Sequence, residues 1–102
     1  MTELLHAIAD PTRRDILERL RVSGPLSVSE VSEGLPMTRQ AVTKHLDTLA
    51  DCSLVRVTRS GRERLHELNA EPFGALQAWL EPYAAEWDRR LDRLRHHLEE
   101  NP

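Results

Sequence analysis

The chain has 102 residues, 39% of them hydrophobic and 30% charged, a balance that fits one globular domain with one modest core and leaves little chain for a deep active-site cleft. Nowhere do apolar residues run to the ~20 in succession that a membrane span needs, and the opening MTELLHAIADPTRR places acids and a proline where a secretory signal would be basic and then apolar. A cytoplasmic protein is expected, and Cys52, the only cysteine, excludes an intramolecular disulfide and a thiolate metal cage within one chain.

The apolar spacing predicts a short first helix over Glu3–Ala9, with Leu4, Leu5 and Ile8 on one side. It ends at Asp10-Pro11, which opens a second helix over Pro11–Val22: the aspartate caps free backbone N–H groups and proline has the φ of a first turn. That helix buries Ile16, Leu17 and Leu20 and stops at Gly24-Pro25. Ser27-Val28-Ser29-Glu30 has capping-box spacing and starts a third, short helix to about Glu33, broken by Gly34-Leu35-Pro36. Thr38 then caps a fourth helix over Arg39–Asp51, with Val42, Leu46 and Leu49 inward. Two short helices across a tight turn make a helix-turn-helix. The period then shortens to two: Val55 and Val57 alternate with Arg56 and Thr58, Arg59-Ser60-Gly61-Arg62 reads as the turn, and Arg64–Leu68 returns as the second strand of a β-hairpin, or wing. From Glu71 to Glu100 the pattern is again helical, with Leu76, Trp79, Leu80, Tyr83, Trp87, Leu91, Leu94 and Leu98 in one stripe. Pro82 should kink or split that helix. The expected architecture is mainly α with a small β-hairpin: a single winged helix-turn-helix domain over residues 1–102, with a C-terminal dimerisation helix.

The net charge of −3 hides a division. Met37 to Arg64 holds six basic residues against three acids, and the remainder is acidic. A polyanion responds to the surface it meets, not to the total. On the outward face of the fourth helix stand Arg39, Gln40, Thr43, Lys44 and Asp47. Arginine and lysine can pair with guanine edges or phosphates, glutamine with adenine, and threonine with phosphate or the thymine methyl, from a helix that fits the major groove. Thr38 and His45 are placed to touch backbone phosphate. The wing arginines Arg59, Arg62 and Arg64 can reach a minor groove or flanking phosphates.

The C-terminal stripe is longer than one small domain covers from one side, at ~1.5 Å per residue, so part of it should meet another chain. With the apolar side of the first helix this predicts a two-fold homodimer that presents two reading helices to a pseudo-palindromic site. The interface residues expected are Leu4, Leu5, Ile8, Tyr83, Trp87, Leu91, Leu94 and Leu98. His96 and His97 are adjacent, so they point apart on a helix; His97 and Glu100 share a face, but two ligands make no closed site. His6, His45 and His66 have no ligand-spaced partner. No Ser/His/Asp, Cys/His or glycine-rich phosphate motif points to an enzyme, and the sequence identifies no cofactor and no inducer.

The run Leu5-His6-Ala7-Ile8-Ala9-Asp10-Pro11-Thr12-Arg13-Arg14-Asp15-Ile16-Leu17-Glu18-Arg19-Leu20 closely resembles the opening of the ArsR/SmtB family of bacterial winged-helix repressors. Thr38-Arg39-Gln40-Ala41-Val42-Thr43-Lys44-His45-Leu46, Leu54-Val55 and the wing Arg59-Ser60-Gly61-Arg62 follow in the family's order, so the likeness covers nearly the whole chain. The resemblance implies a homodimer joined by its first and last helices, bound to double-stranded operator DNA and repressing transcription until a signal releases it. The family's arsenic sensors carry cysteines where this chain has Leu26-Ser27-Val28-Ser29-Glu30-Val31-Ser32, and serine is a far poorer ligand for soft metals than thiolate. Its zinc sensors need an Asp-x-His ahead of the His-x-x-His/Glu on the last helix; His97 and Glu100 match the second half, but Ala84-Ala85-Glu86 stands at the first. The resemblance is thus to the non-metal branch. Two alternatives are a dimeric protein-interaction module that keeps the scaffold without DNA binding, and a sensor using Cys52 or the His96/His97 region.

Overall fold

Asp10 and Pro11 do locally what their chemistry predicts. The Asp10 carboxylate accepts from the Arg13 backbone N–H at 2.9 Å, and Pro11 opens the helix. In the computed structural model, which describes residues 1–100, the elements run α1 (Thr2–Ile8), α2 (Pro11–Ser23), α3 (Val28–Ser32), α4 (Arg39–Asp51), β1 (Val55–Ser60), β2 (Glu63–Leu68) and α5 (Phe73–Glu100). The capping box of α3 is complete: the Glu30 N–H donates to Ser27 Oγ at 3.3 Å and the Ser27 N–H to Glu30 Oε1 at 3.0 Å. Thr38 Oγ1 accepts from the Ala41 N–H at 3.1 Å and starts α4.

The core is built from one stripe per helix. Ile16, Leu17 and Leu20 of α2 meet Val31 of α3 and Val42, Leu46 and Leu49 of α4, with Leu54 and Val55 closing it below and Leu4 and Ala7 of α1 at its edge. Each fully buried aliphatic side chain contributes about 1.5–3 kcal/mol, so this stripe holds α4 in place. The end of α4 is equally determined. The Leu54 N–H reaches back to the Leu49 carbonyl at 3.0 Å and the Ser53 N–H to the Ala50 carbonyl at 3.0 Å, a Schellman arrangement whose apolar partners, Leu49 and Leu54, are both fully buried. Ser53 supplies the left-handed residue at φ 65°, a conformation that favours glycine. Asn69 clamps the same turn, donating its Nδ2 hydrogen to the Ser53 carbonyl at 2.8 Å and its backbone N–H to Leu54 at 2.8 Å.

The wing differs from expectation in its length. The antiparallel register pairs Val55 with Leu68, Val57 with His66, Arg59 with Arg64 and Ser60 with Glu63, leaving Gly61-Arg62 as a two-residue loop. Arg59 is therefore a strand residue, not part of the turn. Gly61 has φ 65° while Arg62 has no positive φ, the pattern of a type II′ turn, whose twist matches that of the strands and lets pairing run to the tip. A further strand contact lies outside the hairpin: Leu26 and His66 exchange backbone hydrogen bonds at 2.9 and 2.7 Å, and His66 Nδ1 stands 3.1 Å from the Leu26 carbonyl. Among the described residues His66 is the one buried polar side chain.

The chain divides into two compact units, Met1–Pro72 and the segment from Phe73 onward. The second is the helix α5, which continues through Pro82 and is not split there. Proline removes one N–H bond from the ladder, but each flank is long enough to keep its own. None of its residues is buried. Trp79 and Tyr83 lie one turn apart with ring centroids 5.1 Å from each other. No helix among the described residues is long and apolar enough to cross a membrane.

Candidate nucleic-acid interface

α4 has its buried residues Val42, Leu46 and Leu49 on one side, which turns Arg39, Gln40, Lys44 and Asp47 outward, all exposed. Thr43 is half-buried, and its hydroxyl donates back to the Arg39 carbonyl at 2.9 Å. Thr38, whose Oγ1 is the N-cap acceptor, lies almost two full turns before His45 and so shares its side of the helix. The structure thus brings Arg39, Gln40, Thr43 and Lys44 to one surface and sets Thr38 and His45 on its flank.

In the wing, strand alternation carries one row of side chains from core to tip. Val55 and its partner Leu68 stand at the base, Val57 with buried His66 above them, and Arg59 with Arg64 beyond the core, both exposed. Two cations directly across a strand pair repel, and among the described residues neither has a carboxylate within ion-pair distance. Arg62 projects at the loop. Arg56, on the other face, is the exception, 3.7 Å from the Glu71 carboxylate.

Within Met1–Pro72 the remaining arginines are engaged differently. Arg13 donates through Nε to the Ala7 carbonyl at 2.6 Å and through its terminal nitrogen to His6 at 3.0 Å, while Arg14 donates to Ile8 and Ala9 at 2.8 and 3.1 Å. These four carbonyls lie in the last turn of α1 and its exit, where helix geometry leaves acceptors short of N–H partners; that of His6 also accepts the Ala9 N–H at 3.3 Å. Arg19 does the same for α3, donating to Val31 at 3.1 Å and to the Glu33 carbonyl. Arg21 pairs with Glu18 on the surface of α2, and the contact lowers the Glu18 pKa and raises that of Arg21. Sequence reasoning gave none of these arginines a role. The signal available was the two-residue joint between α1 and α2, which places the first cations of α2 beside the open end of α1.

Of the expected interface residues, Leu4 is buried, with 5% of its surface exposed; Ile8 is half-buried and Leu5 exposed. Tyr83, Trp87, Leu91, Leu94 and Leu98 of α5 are all between 41% and 61% exposed. Near the end of that helix His96 pairs with Glu100, its Nε2 standing 2.8 Å from the carboxylate at one-turn spacing. Cys52, half-buried, directs its Sγ toward the Leu49 carbonyl at 3.4 Å.

A capped helix-turn-helix followed by an arginine-tipped hairpin defines a winged-helix DNA-binding protein. A helix-turn-helix domain model matches residues 8–58. The chain is 40% identical over 85 residues to the HTH-type transcriptional regulator Rv2034 of Mycobacterium tuberculosis, covering 83% of this chain and 76% of that protein. It is 25% identical over 91 residues to the transcriptional repressor SdpR of Bacillus subtilis, covering 89% of this chain and all of that one (100%). The crystal structure of the ArsR family transcriptional regulator RHA00566 superposes with a TM-score of 0.75 at 37% identity, over 85% of this chain and 89% of that one. The chain belongs to the ArsR family of winged helix-turn-helix transcriptional regulators.

Proposed function

We propose that the protein is a homodimeric, cytoplasmic repressor of an inverted-repeat operator, and that the whole chain acts as one functional domain. The observation that carries the reading is the state of its cations. Arg39, Lys44, Arg59, Arg62 and Arg64 make no side-chain hydrogen bond or ion pair among the described residues, a state shared by Arg89 and Arg93 of α5, and all five sit on α4 and the wing. Phosphate neutralisation supplies most of the affinity of such proteins. Arg39, Gln40, Thr43 and Lys44 read the major groove, Thr38 and His45 hold backbone phosphates, and the wing arginines bind the flanks. The kinship with a protein named a transcriptional repressor supports the direction of control.

The dimer would form through Leu5 and Ile8 of α1 and through Tyr83, Trp87, Leu91, Leu94 and Leu98 of α5, an apolar stripe of a kind that soluble monomers rarely expose. Leu4 would support that surface from within its own core. Metal sensing is not part of the reading: Ser27 Oγ caps α3 and Ser32 Oγ donates to the Val28 carbonyl at 2.7 Å, so two of the serines at the position of the arsenic sensors' thiolates have structural partners. Selection of bound sequences from a random DNA pool tests the proposal, with an inverted repeat expected and no enrichment overturning it. Sedimentation at low micromolar concentration should give a dimer, and Leu91→Glu with Leu94→Glu should give monomers without operator binding. A stable wild-type monomer would remove the two-half-site mechanism.

A further inference from the structure

The fourth helix carries one group whose state is set from outside it. His45 Nδ1 lies 3.4 Å from a terminal guanidinium nitrogen of Arg13, the residue that also closes the carbonyl end of α1. A guanidinium can only donate, so Nδ1 must be the acceptor, and in a neutral imidazole the hydrogen then resides on Nε2. Nε2 has no hydrogen-bond partner among the described residues. It is not enclosed either, since every buried side-chain nitrogen and oxygen among them has a partner. The ring is half-buried, on the same side of the helix as the capping threonine Thr38. Two charged groups lie near it, Arg13 of α2 and that helix's N-cap, Asp10. Arg13 is in direct contact, whereas the Asp10 carboxylate is engaged by the Arg13 backbone N–H and makes no hydrogen bond to the ring.

We infer that His45 meets the DNA backbone as a neutral donor, giving its Nε2 hydrogen to a phosphate oxygen, and that Arg13 is the positioning residue that fixes this tautomer. The inference rests on the reading of α4 as the DNA-contacting helix. It makes His45 different in kind from Lys44 and the wing arginines. A cation that neutralises a phosphate releases counterions and steepens the salt dependence by roughly one unit, whereas a neutral donor adds affinity without changing the slope.

The experiment uses the full-length protein and a DNA duplex recovered by selection, at pH about 8, above the ordinary histidine range. Long-range ¹H–¹⁵N spectra of the imidazoles, with His45 assigned by substitution, should show the Nε2–H tautomer in the free protein and a shift of that nitrogen on binding DNA. His45→Asn should weaken binding about tenfold, the scale of one hydrogen bond to a charged group, with the salt slope unchanged. His45→Gln, whose amide nitrogen stands near the Nε2 position, should recover most of the loss. Arg13→Gln should leave His45 as a mixture of tautomers; if that variant does not fold, the wild-type spectra and the His45→Asn slope still decide. An Nδ1–H tautomer in the wild-type protein, an Nε2 resonance indifferent to DNA, or a slope that falls by about one unit in His45→Asn would each overturn the inference. Absence of DNA binding by the wild-type protein would instead remove the reading on which it rests.

Discussion

The arginines at the start of α2 and the cations of α4 and the wing carry the same charge and have opposite relations to the rest of the molecule. Arg13 and Arg14 are turned inward on the chain, donating to the carbonyls that close α1. Arg39, Lys44, Arg59, Arg62 and Arg64 have no internal counter-charge among the described residues, and Arg59 even faces Arg64 across the hairpin. Counting basic residues cannot separate the two sets. Their partners can: one set stabilises the fold, and the other leaves its donors available to a polyanion.

The sharpest break in that comparison is expected at Arg13. Arg13→Ala removes two charge-assisted bonds to carbonyls and should lower unfolding free energy by roughly 2–3 kcal/mol, read by urea denaturation. A variant as stable as the parent would place Arg13 with the free cations. Lys44→Ala and Gln40→Ala should do the converse, weakening or relaxing DNA recognition by roughly 1–3 kcal/mol if they reach base edges, with unfolding unchanged. Loss of stability with retained DNA preference would put these residues in the structural set. Arg62→Ala should reduce binding to all sequences alike and flatten the salt slope by about one phosphate contact, measured by titration across salt concentrations. An unaltered slope would detach the wing from the backbone.

The smallest effect is set by the caps. Backbone N–H donation from Arg13 lowers the Asp10 pKa, and Ser27 N–H donation lowers that of Glu30. A depressed carboxylate stabilises the fold fully above its unfolded value, about 4, and this contribution disappears as pH falls through the lower folded value. Thermal melts at pH 7 and 5.5 should therefore agree with respect to these two groups, and the loss should begin below about pH 4. In Asp10→Asn with Glu30→Gln that part of the acid sensitivity should be missing.

The helix-turn-helix was legible because its signals are local: Asp10 before Pro11, Ser27 three residues before Glu30, Thr38 at the head of α4 and the apolar spacing of Val42, Leu46 and Leu49 all act within a turn or two. What could not be read depends on distance or on competition. The Leu26–His66 bridge spans 40 positions, and the carbonyl partners of Arg13 and Arg19 exist only once helices pack. Whether Arg59 belonged to strand or turn depended on the class of turn at Gly61. Pro82 is a strong local breaker that was outweighed by the helix on both sides. Leu4 satisfied the same periodicity as Leu5 and Ile8, and only the packed core shows that it is enclosed.

The backbone bridge between Leu26 and His66 also grades the mobility of the wing. It anchors β2 at the level of Val57, so the root of the hairpin is held by a third stretch of chain, while Arg59, Arg64 and the loop beyond depend on their mutual pairing alone. Amide hydrogens at Leu26 and His66 should therefore exchange slowly, with the core, and those near Ser60 and Glu63 quickly. The hairpin is a short lever with a fixed hinge and a compliant end. In the proposed operator complex, its arginines would follow the varying width of a groove without disturbing α4.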